Sequence, residues 1–244
     1  MRGFGVDVGG SGVKGAPVDL VTGALLAERV RVDTPQPSTP DAVVGVVGEV
    51  LGDWEGPFGL TLPAVVVDGR ALTAANIDAS WIGTDVVATV LLATGRTAHV
   101  VNDAVAAGVA EARFGAAAGV RGLVLVLTVG TGIGSALLLD GVLLPGSELG
   151  HLELDGAEAE RHASDAARKR EDLSWAQWAA RFGRYLAHVD LLLRPALVVV
   201  GGGVSKKAEH WLPLLDVRPP VRPAALRNDA GIVGAALLAA EQTA

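Results

Sequence analysis

The chain has 244 residues, a formal net charge of −7 and no cysteine, which allows two small domains or one large one and excludes disulfides and thiolate metal sites. The acidic balance disfavours a nucleic-acid binder held by phosphate charge, no apolar run approaches the roughly 20 residues of a membrane helix, and the first residues lack a signal-peptide layout. The sequence therefore predicts a soluble, cytoplasmic α/β protein with no membrane or nucleic-acid partner.

The first half of the chain alternates strand and helix patterns. Strands are predicted over residues 3–8 and 13–18, on either side of the turn GGSG, and a third strand pattern follows over ALLAERVRV. Two short strands with a turn at DG are expected in FGLTLPAVVVDGRAL, and one more strand over 97–101. The remaining segments predict helices over 41–51, 84–94 and 104–114.

The second half begins by repeating this opening. Residues 122–144 read as strand, glycine-rich turn, strand, turn and strand. A long helix with several aromatic residues is predicted over 172–193, followed by the strand ALVVVGGG and a closing helix over NDAGIVGAALLAAEQ.

An internal similarity indicates a duplicated architecture. Shifting the chain by 121 residues lays VDVGGSGVKGAPVD over LTVGTGIGSALLLD, so that both glycine turns and both aspartate turns coincide. Two such hairpin halves facing a cleft are the pattern of the actin-like ATPase (ribonuclease H-like) fold. We therefore expect two α/β domains with an interdomain cleft: residues 1–114, joined by the helix 229–242, and residues 115–228.

The glycine-rich turns predict phosphate binding. Glycine lets backbone N–H groups approach an anion closely, and consecutive N–H groups form an anion-binding nest. A single turn of this kind is as readily an ordinary tight hairpin, but DVGGSG, TVGTGIG and VVVGGG each follow an apolar strand. Asp7, beside the first turn, suits a Mg²⁺ ion or its waters, or else caps the turn. Lys14 and Lys206 either neutralise phosphate oxygens or are solvated.

Asn102 and Asp103 stand where an apolar strand gives way to a helical pattern. One of them is explained as a helix cap, which stabilises by about 1 kcal/mol. The other is not, and the carboxyl ends of strands in α/β sheets face the ligand. A kinase acting on an alcohol needs a carboxylate that accepts the hydroxyl proton, so Asp103 is the candidate general base.

A second polar cluster follows a Pro-Gly turn. Glu148 and His151 are three residues apart and would share one face of a helix, where a carboxylate and an imidazole suit sugar hydroxyls. Asn76 offers a donor and an acceptor to a hydroxyl. On composition alone, Glu158 and Glu160 are solvated. His151 as a zinc ligand is disfavoured, because no cysteine and no second suitably spaced histidine complete a site.

Taken together, these motifs resemble the ROK sugar kinases. The segments that carry the resemblance are GVDVGGSGVKG, NDAVAAG, LTVGTGIGSA, ELGHLEL and VGGGVSKK. The closer resemblance is to the polyphosphate glucokinase branch, through TPQPSTP, TAANIDASWIG, LSWAQWAARFGRYL and LRNDAGIVGAA. The resemblance spans the chain from about Gly3 to Ala236 and implies transfer of a phosphoryl group from polyphosphate, or also ATP, to the 6-hydroxyl of glucose.

The resemblance also implies roles for individual residues. Asp103 takes the position of the general base, and the sugar-binding positions fall on Asn76, Asn102, Asp103, Glu148, His151 and Glu160. The donor-binding positions fall on Asp7, Gly9, Gly10, Ser11, Gly12, Lys14, Thr128, Gly130, Thr131, Gly132, Gly202, Gly203 and Lys206. Asp7 is the expected Mg²⁺ ligand. Zinc is not expected, since the cysteine-rich motif of most ROK kinases is missing.

Three positions depart from the polyphosphate branch. Val105 stands where that branch often has a second acid, Ala64 where it usually has glycine, and Val129 replaces a common phenylalanine. None of these is a residue assigned to chemistry, although Val105 and Ala64 could tune the affinity for sugar.

The donor and the assembly are less defined by the sequence. Polyphosphate needs only a basic track, for which ARKRED (167–172), Lys206, Lys207, Arg218, Arg222 and Arg227 are candidates, against scattered surface charge as the alternative. Rival functions are an ATP-dependent hexokinase of other sugar preference, an actin-like scaffold and a sugar-responsive regulator. The last would need a DNA-binding segment ahead of the first strand. A homodimer is expected, with the helix 172–193 as a candidate interface.

Overall fold

The computed structural model describes residues 1–75 and 77–242, so the predicted sugar-binding residue Asn76 lies outside the described residues. The strands are β1 (Arg2–Gly9), β2 (Gly12–Asp19), β3 (Val30–Val32), β4 (Phe58–Leu62), β5 (Val66–Val67), β6 (Arg70–Ala71), β7 (Ala98–Asn102), β8 (Leu123–Val129), β9 (Ile133–Leu139), β10 (Val142–Leu144), β11 (Glu153–Leu154), β12 (Ala157–Glu158), β13 (Leu197–Gly202) and β14 (Val221–Pro223). The α-helices are α1 (Pro40–Leu51), α2 (Val86–Thr94), α3 (Asp103–Phe114), α4 (Glu160–Ala163), α5 (Asp165–Arg170), α6 (Trp175–Leu193), α7 (Ala208–Trp211) and α8 (Ala230–Gln242).

The chain forms two compact units. The first contains Met1–Ala106 and the segment from Asp229 onward, and the second contains Ala107–Asn228. The division falls inside α3, whereas the sequence predicts it after that helix, at residue 114. The reason is that successive turns of α3 pack within different units: the Ala106 carbonyl contacts Gly234 of α8, whereas Gly108 lies against Ala136 of β9.

The first unit is built on a five-stranded sheet in the order β3-β2-β1-β4-β7. The first three strands are antiparallel, and β4 and β7 run parallel to β1. Helices α1 and α2 contribute to the hydrophobic core together with these strands, and α8 packs on β1 and β4. The parallel strands therefore end at one edge of the sheet, where their loops carry polar residues.

The second unit repeats this topology, as the internal similarity predicts. Its sheet has the order β10-β9-β8-β13-β14, again with an antiparallel hairpin and third strand followed by two parallel strands. The two hairpin turns differ in length, since Gly10 and Ser11 connect β1 to β2 whereas residues 130–132 connect β8 to β9. The actin-like fold expected from the sequence thus has a structural basis in two equivalent sheets.

Helix α6 supplies much of the core of the second unit. Trp178, Phe182 and Tyr185 are fully buried and pack with Trp211. The helix begins at Trp175, not at residue 172, because Ser174 forms a capping box with Gln177. Most of the apolar residues that made this helix a candidate interface therefore face its own core.

A buried carboxylate fixes the end of α3. Glu111 is fully buried, and its two oxygens accept hydrogen bonds from the backbone N–H groups of Ala116, Ala225 and Leu226. These charge-assisted bonds replace the water that a carboxylate would otherwise need. The side chain thereby joins α3 to the segment that leads into α8.

Some sequence-based boundaries were wrong. The third strand pattern contributes only β3, with an isolated bridge between Val18 and Leu25 before it. The short helices α4 and α5 and the edge strand β14 were not predicted, because pieces of three to six residues carry too little periodicity. Within residues 1–75 and 77–242, no helix is both long enough and apolar enough to cross a bilayer.

Candidate functional site

The first polar group lies along one edge of the first sheet. The register places Asp7 of β1 beside Thr61 of β4, which in turn pairs with Val101 of β7. The hydroxyl of Thr61 donates to the Asp7 carboxylate at 2.7 Å, and Lys14 Nζ lies 3.8 Å from the other carboxylate oxygen. Lys14 is therefore paired with Asp7, the residue opposite it in the hairpin.

This arrangement of Asp7 fits a hydrated cation. Mg²⁺ in phosphate-binding sites is usually held by one or two carboxylates, several waters and the substrate phosphates. Asp7 offers one carboxylate, with one oxygen already oriented by Thr61, and its side chain is 19% exposed. It can thus contact an ion or its waters, but it does not form an all-protein cage.

The first glycine turn is braced by side chains from β3 and the residues that follow it. Thr34 donates to the Gly9 carbonyl, and Arg31 donates to the Ser11 carbonyl at 3.0 Å. The Arg31 guanidinium also fills the space beside Gly12, where a Cβ would lie 3.0 Å from its Nε. Ser11 and Gly10 are exposed, so the tip of the turn is open to an anion.

Asn102 and Asp103 divide the start of α3 between them. Asn102 Oδ1 accepts from the N–H groups of Ala104 and Val105, and its Nδ2 donates to the Ala64 carbonyl at 3.1 Å. Asp103 is the first helical residue and accepts from Ala104 N at 3.0 Å. The helix cap is therefore Asn102, and its amide is engaged with the protein on both sides.

The second unit carries the other two glycine turns at neighbouring strand ends. Gly202 of β13 pairs with Val129 of β8, so the turn 130–132 and the turn 202–203 are adjacent. Gly202 has φ = 75°, and a Cβ there would lie 2.4 Å from the Val129 carbonyl oxygen. This close approach requires glycine. Lys206, which follows in a 3₁₀ turn, is exposed, as is Thr131, while Thr128 is half-buried.

Glu160 is fastened to the turn between β8 and β9. One carboxylate oxygen accepts from Ile133 N at 3.0 Å. A Cβ on Gly132 would lie 2.4 Å from the same oxygen, so the glycine leaves room for the carboxylate. Composition alone predicts that Glu160 is solvated, whereas in the structure its carboxylate packs against a glycine-rich turn.

The loop with Glu148 and His151 is tied to β9. Ser135 accepts from Leu149 N and bonds to Ser147, and Gly150 packs against the Ile133 carbonyl so closely that a Cβ would lie 2.1 Å away. The helix expected there is a single 3₁₀ turn over Leu149–His151. Its short span still brings both polar side chains into one group.

Three residues form a compact group of ligand atoms. His151, Glu158 and Glu160 each place one nitrogen or oxygen within 4.8 Å of the others. His151 Nδ1 lies 3.2 Å from Glu158, and Glu160 accepts a hydrogen bond from Ile133 N, so each of the three residues already makes a protein contact. The expectation of no zinc stays a prediction. Sequence reasoning assigned Glu158 as solvated on composition alone, whereas the structure places its carboxylate beside His151.

Electrostatics distinguish the two acids of this neighbourhood. Desolvation raises the pKa of Glu148 above the ordinary glutamate value, with Glu160 adding to the rise and His151 opposing it. The hydrogen bond from Arg161 lowers the pKa of Glu158, and His151 contributes in the same direction. Glu148 therefore takes up a proton at a higher pH than its neighbour.

The predicted basic track is dispersed. Arg218 makes a bidentate pair with Asp190, and Arg222 donates to the Ala116 carbonyl. Arg168 and Lys169, in contrast, lie on α5, whose Ala166 N donates to the Gly130 carbonyl at 3.0 Å. Part of the predicted track is thus held by structural contacts, and part lies beside a glycine turn.

Comparison with known proteins agrees with this description. The sequence profile of the ROK family matches residues 3–167. A polyphosphate glucokinase of Mycobacterium tuberculosis is 48% identical over 245 residues, which cover 99% of this chain and 92% of the relative.

Two solved structures extend the similarity to three dimensions. The inorganic polyphosphate/ATP-glucomannokinase from Arthrobacter sp. strain KM aligns with a TM-score of 0.95 and 50% identity over 99% of both chains. A ROK family glucokinase from Streptomyces griseus, solved in complex with glucose and AMPPNP, aligns with a TM-score of 0.83 and 26% identity over 99% of this chain and 100% of that one.

Proposed function

This chain belongs to the ROK family, and on that premise we propose that it is a glucokinase that transfers a phosphoryl group from inorganic polyphosphate to glucose. The observation that carries the proposal is the identity with the mycobacterial polyphosphate glucokinase along almost the whole chain. The glucomannokinase from Arthrobacter, named for both polyphosphate and ATP, supports ATP as a second donor and mannose as a second sugar.

Asp103 is proposed as the general base. Its carboxylate stands at the carboxyl end of β7, and the cap role that could otherwise explain an acid there is filled by Asn102. The carboxylate accepts the proton of the 6-hydroxyl while that oxygen forms a bond to the terminal phosphorus. The bond from phosphorus to the bridging oxygen breaks, and the chain shortened by one phosphate leaves.

The sugar-binding residues are proposed to be Glu148, His151 and Glu160, with Asn76 and Asn102 as further contacts. Support comes from the closeness of His151 to Glu160, from the electrostatic influence of both on Glu148, and from the Ile133 hydrogen bond that orients Glu160. Carboxylate and imidazole groups accept and donate hydrogen bonds to vicinal hydroxyls. The protein contacts of Asn102 make it a positioning residue as well as a sugar contact.

The phosphate donor is proposed to bind along the three glycine turns. Backbone N–H groups there approach phosphate oxygens without a Cβ in the way. Phosphoryl transfer from such a polyanion needs a divalent cation, for which we propose Mg²⁺, and this ion would neutralise charge on the phosphates. Asp7, oriented by Thr61, is the residue that would hold the ion or its waters.

A coupled assay tests the function. Purified protein with Mg²⁺ is given each of the four pairs of one sugar (glucose or mannose) and one donor (polyphosphate or ATP). The sugar 6-phosphate formed with each pair is measured. The proposal expects product from glucose with polyphosphate. Product with ATP but not with polyphosphate would favour the rival ATP-dependent hexokinase. No product with any pair would reject the kinase proposal.

A further inference from the structure

A buried acid lies against both glycine turns of the second unit. Asp165 is 7% exposed, and a Cβ on Gly203 would lie 3.8 Å from its Oδ2. The next residue, Ala166, donates its N–H to the Gly130 carbonyl. Any group attached to Asp165 is therefore held close to the turns at which the donor is proposed to bind.

Two cationic side chains form ion pairs with Asp165. Arg168 Nε donates to one carboxylate oxygen at 2.9 Å, and Lys169 Nζ lies 2.7 Å from the other. One negative charge thus faces two positive charges, so the group carries a net positive charge.

Arg168 is held in a fixed orientation. Its guanidinium carbon lies 4.2 Å from the ring centroid of Trp175, and Trp175 is the first residue of α6, directly after the helix cap Ser174. Among the described residues, no acceptor is hydrogen-bonded to the two terminal nitrogens of Arg168. A guanidinium fixed in this way keeps a two-pronged donor for an anionic oxygen pair at little further cost in side-chain entropy.

We propose that Arg168 and Lys169 form a subsite for the part of the polyphosphate chain beyond the transferred phosphate, an inference that rests on the proposed function. Polyphosphate carries negative charge along its whole length, so a second row of cations next to the glycine turns lengthens its contact with the protein. A nucleotide instead ends in a base that seeks an aromatic face. The ring of Trp175 is already packed by Arg168, His210 and Trp178.

The test compares donors in single-charge variants. In Arg168→Gln the KM for long-chain polyphosphate should rise about tenfold or more, since a charge-assisted hydrogen bond to the phosphate chain is lost. The KM for ATP should rise less, and kcat and the KM for glucose should stay close to wild type. Lys169→Gln, at an exposed side chain, should show a smaller rise in the same direction.

The matched control is Arg184→Gln, which removes the same charge from an exposed arginine of α6 paired with Asp155. It should leave every KM within about twofold. Equal effects of the Arg168 and Arg184 substitutions, equal rises for ATP and polyphosphate, or a loss confined to kcat in both the Arg168 and Lys169 variants would overturn the subsite. Inactivity of the wild-type protein with both donors would instead reject the proposed function.

Discussion

Asn102 and Asp103 are neighbours at the start of α3, yet their hydrogen bonds give them different tasks. Asn102 caps the helix and reaches across to Ala64, so replacing it would disturb the backbone. Asp103 sits one residue further on, inside the first turn. Its amide isostere should therefore preserve the helix start, which separates the chemistry of the carboxylate from its structural role.

Asp103→Asn should lower kcat by about 10²–10⁴-fold, because an amide cannot accept the hydroxyl proton. The thermal unfolding temperature and glucose binding, measured by calorimetry, should remain close to wild type. Asp53→Asn, at an exposed aspartate of the same unit, controls for the loss of one charge. Turnover near the wild-type rate in the Asp103 variant would remove the general base from the mechanism.

Tyr185 presents the opposite case, a polar atom with no described partner. Its hydroxyl is buried in the core around α6, and burial raises the pKa of the phenol, with Glu160 adding to the shift. Tyr185→Phe should leave the free energy of unfolding unchanged or raise it by up to about 1 kcal/mol. Urea unfolding measures the change.

The comparison for this variant is Thr61→Val, which removes a buried hydroxyl that donates to Asp7. It should cost about 1–3 kcal/mol, since the carboxylate loses a partner. If Tyr185→Phe were as costly, its hydroxyl would have to bind a buried water.

Among the elements, α8 approaches the first sheet more closely than side chains allow. A Cβ on Gly59 of β4 would lie 1.9 Å from the Ala235 carbonyl oxygen, and one on Gly5 of β1 would be as close to that of Ile232. Glycine is thus required in both strands for the helix to pack directly on the backbone. Sequence reasoning recognised these glycines only as part of strand patterns.

Gly59→Ala should destabilise the protein by about 1–3 kcal/mol, because strand and helix must separate to admit the methyl group. Gly45→Ala is the matched control: Gly45 lies in α1, and no atom of the described residues lies within 4 Å of a Cβ there, so alanine should stabilise by about 1 kcal/mol through helix propensity. Chemical denaturation of both variants tests the pair. Equal and small changes would contradict the close packing of α8.

The regular elements were predictable where their patterns were long. The two glycine-turn hairpins and α1, α3, α6 and α8 follow from strand alternation, turn residues and helical spacing. For the candidate site, sequence reasoning located the glycine turns, Asn102 and Asp103 at the end of a strand, and Glu148 and His151 after a Pro-Gly turn. Glu158, Asp165 and Arg168 lie in short elements between 155 and 170 that sequence reasoning did not predict. Without α5, the i,i+3 pair of Asp165 and Arg168 could not be foreseen, and the contact of Glu158 with His151 depends on the tertiary fold.

At the scale of the whole molecule, stability should depend on pH through His99. Burial lowers the pKa of this β7 histidine below its ordinary value of 6.5, and a hydrogen bond with Gln242 of α8 partly opposes the shift. Below about pH 6.5 the unfolded chain binds a proton that the folded chain does not, so the free energy of unfolding falls as the pH falls toward the folded pKa.

Urea unfolding at pH 7.5 and 5.5 measures this dependence. The wild type should lose more stability between the two values than His99→Gln, and His162→Gln, at an exposed histidine, should behave as the wild type does. An equal loss in wild type and His99→Gln would assign the dependence to other groups.

The homodimer expected from the sequence stays a prediction that light scattering can test.

The packing of α8 on β1 and β4 has a consequence for synthesis on the ribosome. Residues 2–62 leave the ribosome before residues 107–228 are made, and α8, which packs on β1 and β4, is made only after both. The segment 107–228 is completed before α8 and can fold while the face of the first sheet that α8 packs on is still exposed. We therefore expect the second unit to complete its fold before the first, although the first is translated earlier. The nascent first sheet should be the part of the chain most dependent on chaperones.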